Sequence, residues 1–193
     1  MEGMFNSPVM IKLQEFGQAL GRNKFLSALQ NAMMSLMAVI MVGAIFLILC
    51  AVGGPTMLNL FASDSVIYTT LYTPYQFTMN LLSLWVVGIM AFNYARNLNI
   101  RVPIISVVES LAVFLMTCGA LVTADEGTAI LMTYLGAQGM FIGFLIVFVV
   151  VNVDKICAEK NIYIKMPDIV PQAIQNGFAG IIPLLFNMRS SWP

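Results

Sequence analysis

FLSALQNAMMSLMAVIMVGAIFLILCAVGGPTMLNLFAS, residues 25–63, carries no charged side chain in 39 positions between Lys24 and Asp64. A helix needs about 20 consecutive apolar residues to cross a bilayer, and this run supplies more than that before Gly53-Gly54-Pro55 breaks it. A second uncharged stretch, residues 65–95, extends 31 positions to Arg96. Over the whole chain of 193 residues, 60% are hydrophobic and 9% charged, against about 45–50% and about 25% in soluble domains. So little charge cannot coat a soluble surface of this size. The fold class is all-α, a polytopic helical membrane protein.

The same composition excludes other classes. A net charge of +0 without a basic tract argues against a nucleic-acid binder. No histidine is present, which removes imidazole acid–base catalysis, histidine metal ligation and phosphohistidine chemistry from this chain. Cys50, Cys118 and Cys157 form no C-x-x-C pair and read as small apolar residues or an isolated loop thiol. No catalytic residue, cofactor or metal ligand is assigned.

Residues 1–27 are too polar for a secretory signal. Ser7-Pro8 opens an amphipathic helix with Val9, Leu13, Phe16 and Leu20 on one face, suited to the membrane surface or to packing on the protein's own loops. The membrane domain then occupies 28–193. Four full spans are expected at about 28–52, 76–95, 103–123 and 129–151, with a partial fifth at about 171–188. Residues 53–74 are read as a re-entrant or surface-lying connection, and Tyr68, Tyr72 and Tyr75 as residues of the outer loop before the second span. Asp125-Glu126-Gly127 is read as a short turn. Basic residues alternate between flanks: Lys12, Arg22 and Lys24, then none, Arg96 and Arg101, none, then Lys155, Lys160 and Lys165. The positive-inside rule places the N-terminus in the cytoplasm. Arg189, beyond the fifth segment, is the exception.

Glu109 is the charge set well inside an expected span. An ionisable group at that depth is a candidate for substrate or proton handling. Arg96 and Arg101 lie close in sequence, so snorkelling or pairing with one of them is the structural alternative. Gly139 and Gly143 form a G-x-x-x-G, with Gly136 on the same face, and small residues at this spacing let helices pack closely within a subunit or across a dimer. Pro167 and Pro171 force an extended turn in which Asp168 is placed to cap the helix that follows.

That last stretch, Lys165-Met166-Pro167-Asp168, Val170-Pro171 and Asn176-Gly177-Phe178-Ala179, resembles the membrane-spanning IIC permeases of the bacterial phosphotransferase system, in the lactose/cellobiose/diacetylchitobiose branch. Gly21-Arg22-Asn23-Lys24 with Leu26-Ser27-Ala28-Leu29, and Tyr134 through Phe141, resemble the same family. The resemblance implies a multi-pass protein of the bacterial inner membrane. Such a permease takes up a disaccharide by alternating access, with coupled phosphorylation through IIB and IIA partners. It implies a homodimer, with dimer contacts in the N-terminal half and a sugar site built from Glu and His in the C-terminal half. Family members are about twice this length, and Ala173–Met188 would reach only about 24 Å across a core of about 30 Å. The expectation is therefore a truncated, dimerising half that handles a disaccharide only if the missing half is supplied. The alternative is a small self-contained membrane channel or scaffold.

Overall fold

Asn23 opens the first helix: its Oδ1 accepts from the Phe25 amide at 3.0 Å, satisfying one of the free N–H groups that every helix start presents. From there α1 runs Lys24–Gly53, 30 residues, about 45 Å at 1.5 Å per residue. The computed structural model describes residues 21–54, 65–124, 127–160 and 180–191, with Ile162, Val170, Pro171, Gln175, Gly177 and Phe178. The amphipathic helix expected from Ser7 to Leu20 lies outside the described residues.

The buried stripe of α1 is Ala28, Ala32, Leu36, Gly43, Cys50 and Gly53. Small side chains dominate it, so neighbouring helices approach closely. Its other faces expose Met34, Met37, Met41, Ile45 and Ile48, an arrangement that suits lipid. Running back along α1 are α2, Val66–Met79, and α3, Leu82–Asn97. Together they form one interrupted apolar run of 32 residues. The expected span 76–95 is corrected: helix begins ten residues earlier, and Tyr68, Tyr72 and Tyr75 stand on α2 rather than in a loop. Thr and Tyr lower the hydropathy of this segment and Pro74 reads as a breaker, yet the helix tolerates both. The hydroxyls of Thr70 and Thr73 donate to the carbonyls of Val66 and Thr69 at 2.7 and 2.8 Å, so their polar atoms are satisfied within the helix.

α1 and α2 approach closely at Gly43. A Cβ there would collide with Thr78 Oγ1 and sit 3.1 Å from Thr78 Cβ. Gly43→Ala is expected to cost about 1–3 kcal/mol, read as a lower thermal midpoint in detergent, with Thr78→Ala in the same chain recovering part of the loss.

At the α2/α3 break, the loop before the last long helix caps α3. The Ser83 amide donates to Leu135 O at 2.9 Å and its hydroxyl donates to Gly136 O. The Leu135 carbonyl thus takes up an N–H group that a helix start would otherwise leave unpaired. Asn99, with φ 60°, turns the chain out of α3, a left-handed position that Asn tolerates. The Ile100 amide closes onto Ala95 O at 3.0 Å. Pro103 then begins α4, Pro103–Cys118.

The expected spans 103–123 and 129–151 both change here. α4 stops at Cys118, and residues 121–130 form an antiparallel hairpin, β1 (Leu121–Ala124) with β2 (Gly127–Ile130), in register Leu121 to Ile130 and Ala124 to Gly127. Gly127 has φ +142°, a backbone that favours glycine. α5 spans Met140–Glu159, starting eleven residues later than expected and continuing eight residues further. Apolar character alone extends the helices through 119–123 and 129–139, whereas β-branched Val122, Thr123 and Thr128 beside Gly119 and Gly127 suit strands. The partial fifth span, expected at 171–188, is α6, Ile181–Ser191. Arg189 lies in its last turn rather than in a tail.

α3 is the hub, packed against α1, α4 and α5. Val87, Met90, Ala91, Tyr94 and Ala95 meet Ala28 and Ala32 of α1, Phe114 of α4, and Val147 and Val151 of α5. Phe25, Tyr94 and Phe148 form an aromatic cluster with centroids 5.3 to 6.3 Å apart. Asn152 Nδ2 donates to Tyr94 Oη at 3.0 Å.

Candidate functional site

Helical spacing places Ser106, Glu109, Ser110 and Val113 on one buried face of α4. On α5 the buried positions Gly143, Val147, Val150 and Val151 continue to Asp154. From α6, Asn187 enters the same space and is 1% exposed. Glu109 is 2% exposed and Asp154 7%, so two carboxyl groups from neighbouring helices converge in the protein interior. Asn187 Nδ2 donates to Glu109 Oε2 at 3.3 Å and reaches Asp154 Oδ1 at 3.5 Å, long for a hydrogen bond. Glu109 Oε1, Asp154 Oδ2 and the hydroxyl oxygens of Ser106 and Ser110 have no hydrogen-bond partner. Gly180 keeps the space beside Glu109 open, since a Cβ there would lie 3.0 Å from Oε1.

The arginine pairing weighed for Glu109 does not form. Arg96 lies over the Phe92 ring at 5.8 Å, and the ion pair among the described residues is the exposed Lys155–Glu159 contact at 3.5 Å. Burying a carboxylate without compensation costs several kcal/mol. The pair is therefore an energetic liability that demands a positive or proton-donating partner. Hydroxyl, amide and carboxylate oxygens can bind a cation or orient a proton. Among the described residues no cluster of three or more His, Cys, Asp or Glu forms a metal site.

The other candidates separate from this cluster. Gly143 is a packing position: a Cβ there would approach Val87 Cγ2 to 2.6 Å and Phe114 Cε2 to 3.6 Å, so it serves contact within the chain between α5 and α3. Gly139 sits in the 3-10 turn Ala137–Gly139, where a Cβ would collide with Tyr134 O. The G-x-x-x-G therefore bridges a turn and a helix and does not present one continuous helix face. Pro171 is exposed, and its carbonyl accepts from the Gln175 amide at 3.2 Å. Pro167 and Asp168 lie outside the described residues. Sequence reasoning missed Asp154, Asn187 and the two serines. The signal for Asp154 was available: it extends the Val147, Val150, Val151 face by one turn, beyond the point where falling hydropathy had ended the span.

Apart from this cluster, a concavity of about 650 Å³ opens near the C-terminal half of α1 between the α2/α3 break and the loop before α5. Tyr75, Asn80, Thr133 and Gln138 give it polar atoms.

Comparison with known proteins agrees with this architecture. The family model described as Phosphotransferase system, EIIC, matches residues 30–189. The lactose-specific EIICB component of the phosphotransferase system from Lacticaseibacillus casei is 28% identical over 187 residues, covering 95% of this chain and 32% of that protein. The component of the same description from Streptococcus mutans is 32% identical over 184 residues, covering 92% of this chain and 31% of that one. The chain thus spans about a third of the length of these curated relatives. The crystal structure of the transporter ChbC, the IIC component of the N,N'-diacetylchitobiose-specific phosphotransferase system, superposes with a TM-score of 0.76. It is 22% identical, with 93% of this chain and 44% of that chain covered.

Proposed function

The chain belongs to the phosphotransferase system EIIC family, and on that premise we propose that it forms part of a sugar permease of the bacterial plasma membrane. The observation that carries this reading is the family match over residues 30–189, supported by three helices among the described residues that are long and apolar enough to cross a bilayer. Similarity to lactose-specific components, and fold likeness to a diacetylchitobiose transporter, favour a disaccharide such as lactose, cellobiose or diacetylchitobiose as cargo. A cytoplasmic IIB unit would phosphorylate the emerging sugar, with IIA upstream of it.

These residues serve as the dimerising scaffold rather than the sugar site. No His is available for sugar handling, and the carboxyl groups of Glu109 and Asp154 are enclosed between α4, α5 and α6. Homodimer contact runs through the exposed apolar face of α1, around Met37, Met41 and Ile45, with the N-terminus cytoplasmic by the distribution of Lys and Arg.

Uptake and phosphorylation of labelled disaccharides with and without the gene test the permease reading. Deletion is expected to abolish or sharply reduce uptake of one of them. Unchanged uptake of all three overturns it in favour of a channel or scaffold. Met37→Cys and Met41→Cys, oxidised in the native membrane, are expected to give a covalent dimer. A monomer at both positions removes the α1 interface.

A further inference from the structure

We infer that Glu109, Asp154, Ser106 and Ser110 bind a hard, oxygen-seeking cation between α4, α5 and α6. Two observations converge on it. First, two carboxyl groups are buried together, and no lysine or arginine pairs with either among the described residues. Second, two serine hydroxyls, 1% and 0% exposed, have no hydrogen-bond partner, and both serines stand on the same buried face of α4 as Glu109. Buried hydroxyls are normally satisfied, so orphaned ones beside carboxylates mark a place where something is bound.

The donor set identifies the chemistry. Asn187 offers its amide to one oxygen of each carboxylate, Glu109 Oε2 and Asp154 Oδ1. The opposite oxygens, Glu109 Oε1 and Asp154 Oδ2, have no hydrogen-bond partner, nor do the hydroxyls of Ser106 and Ser110. Four oxygens, two of them carboxylate, and no thiol or imidazole among them suit Ca²⁺, Mg²⁺ or Na⁺ and not a soft transition metal. A divalent ion would balance the charge of both carboxylates. Gly180 contributes by omission, because a side chain there would crowd Glu109 Oε1 at 3.0 Å. The bound cation would tie α4 to α5 by shared coordination, while Asn187 holds α6 to the same carboxyl groups.

The test is thermal unfolding of the full chain in detergent after chelation, titrated with CaCl₂, MgCl₂ or NaCl against choline chloride at matched ionic strength. A saturable rise in the midpoint of at least several degrees in one arm is expected, with choline giving none. Equilibrium dialysis of the same ion should give about one per chain. Glu109→Gln and Asp154→Asn are expected to abolish the response, and Ser106→Ala to raise the half-saturating concentration at least tenfold while leaving the protein folded. Glu159→Gln, at an exposed carboxylate paired with Lys155, should retain the full response. No response of the unmodified chain to any of the three ions overturns the proposal and leaves the carboxyl pair satisfied by protons. A response that survives Ser106→Ala unchanged and persists in a folded Glu109→Gln chain also overturns it.

Discussion

Phe114→Ala is expected to lower the thermal midpoint by roughly 10 °C or more, corresponding to about 3–5 kcal/mol. Phe114 is fully buried and is the largest such side chain among the described residues. Its ring fills the junction where α4 meets the turn into α5: Cζ would lie 3.4 Å from a Cβ on Gly139 and Cε2 3.6 Å from one on Gly143. Part of the facing wall is the glycine backbone at Gly139 and Gly143, which has no side chain to move into the void. The cost therefore includes a cavity as well as lost transfer energy. Phe114→Leu should lose less than half as much. Size-exclusion analysis after heating in detergent checks both, and a midpoint within a few degrees of the unmodified chain for Phe114→Ala would contradict this account of the core.

Gly143→Leu attacks the same junction from the opposite direction. Even the Cβ would approach Val87 Cγ2 to 2.6 Å, well inside ordinary contact, and the remaining carbons have only the α3 surface to enter. Because α3 is the hub of the bundle, its displacement propagates to α1 and α4 as well as to α5. The expected cost is at the upper end of, or beyond, the roughly 1–3 kcal/mol typical of overpacking. A double-mutant cycle makes the cause specific. Gly143→Ala alone should destabilise, and Val87→Ala in the same chain should recover part of the loss because the colliding methyl is gone. Simple additivity of the two changes would show that the contact between α3 and α5 at this point is not the source.

Both substitutions act on a contact that glycine spacing announced but did not locate. Gly139 and Gly143 stood out as a packing motif, yet nothing local distinguishes a face used inside the subunit from one used between subunits. Gly43, with no glycine four positions away, turns out to mark an equally close approach. Span limits behaved in the same way. Hydropathy averages over side chains and found every apolar stretch, including the one that folds back as the hairpin Leu121–Ile130. It could not see that Thr70 and Thr73 return their hydroxyls to their own helix and let α2 begin at Val66. Nor could it see that Ser83 and the 135–136 carbonyls permit a break in mid-run.

What the residues determined by themselves is the solvent. Two uncharged runs totalling most of the first 95 positions allow only structures that satisfy their backbone internally, and that means helices. The depth of Glu109 and its cost were equally plain, since burial of a lone charge follows from its neighbours in sequence. Its partners did not follow. Asp154 and Asn187 are 45 and 78 positions further along the chain, and they reach Glu109 only because α4, α5 and α6 pack side by side. Arg96 and Arg101 were nearer in sequence, yet Arg96 stacks on Phe92 and the carboxylate turns inward. Hydrophobicity acts residue by residue and can be read along a chain, whereas the meeting of two buried polar groups depends on helix order and rotation, which exist only once the bundle is assembled.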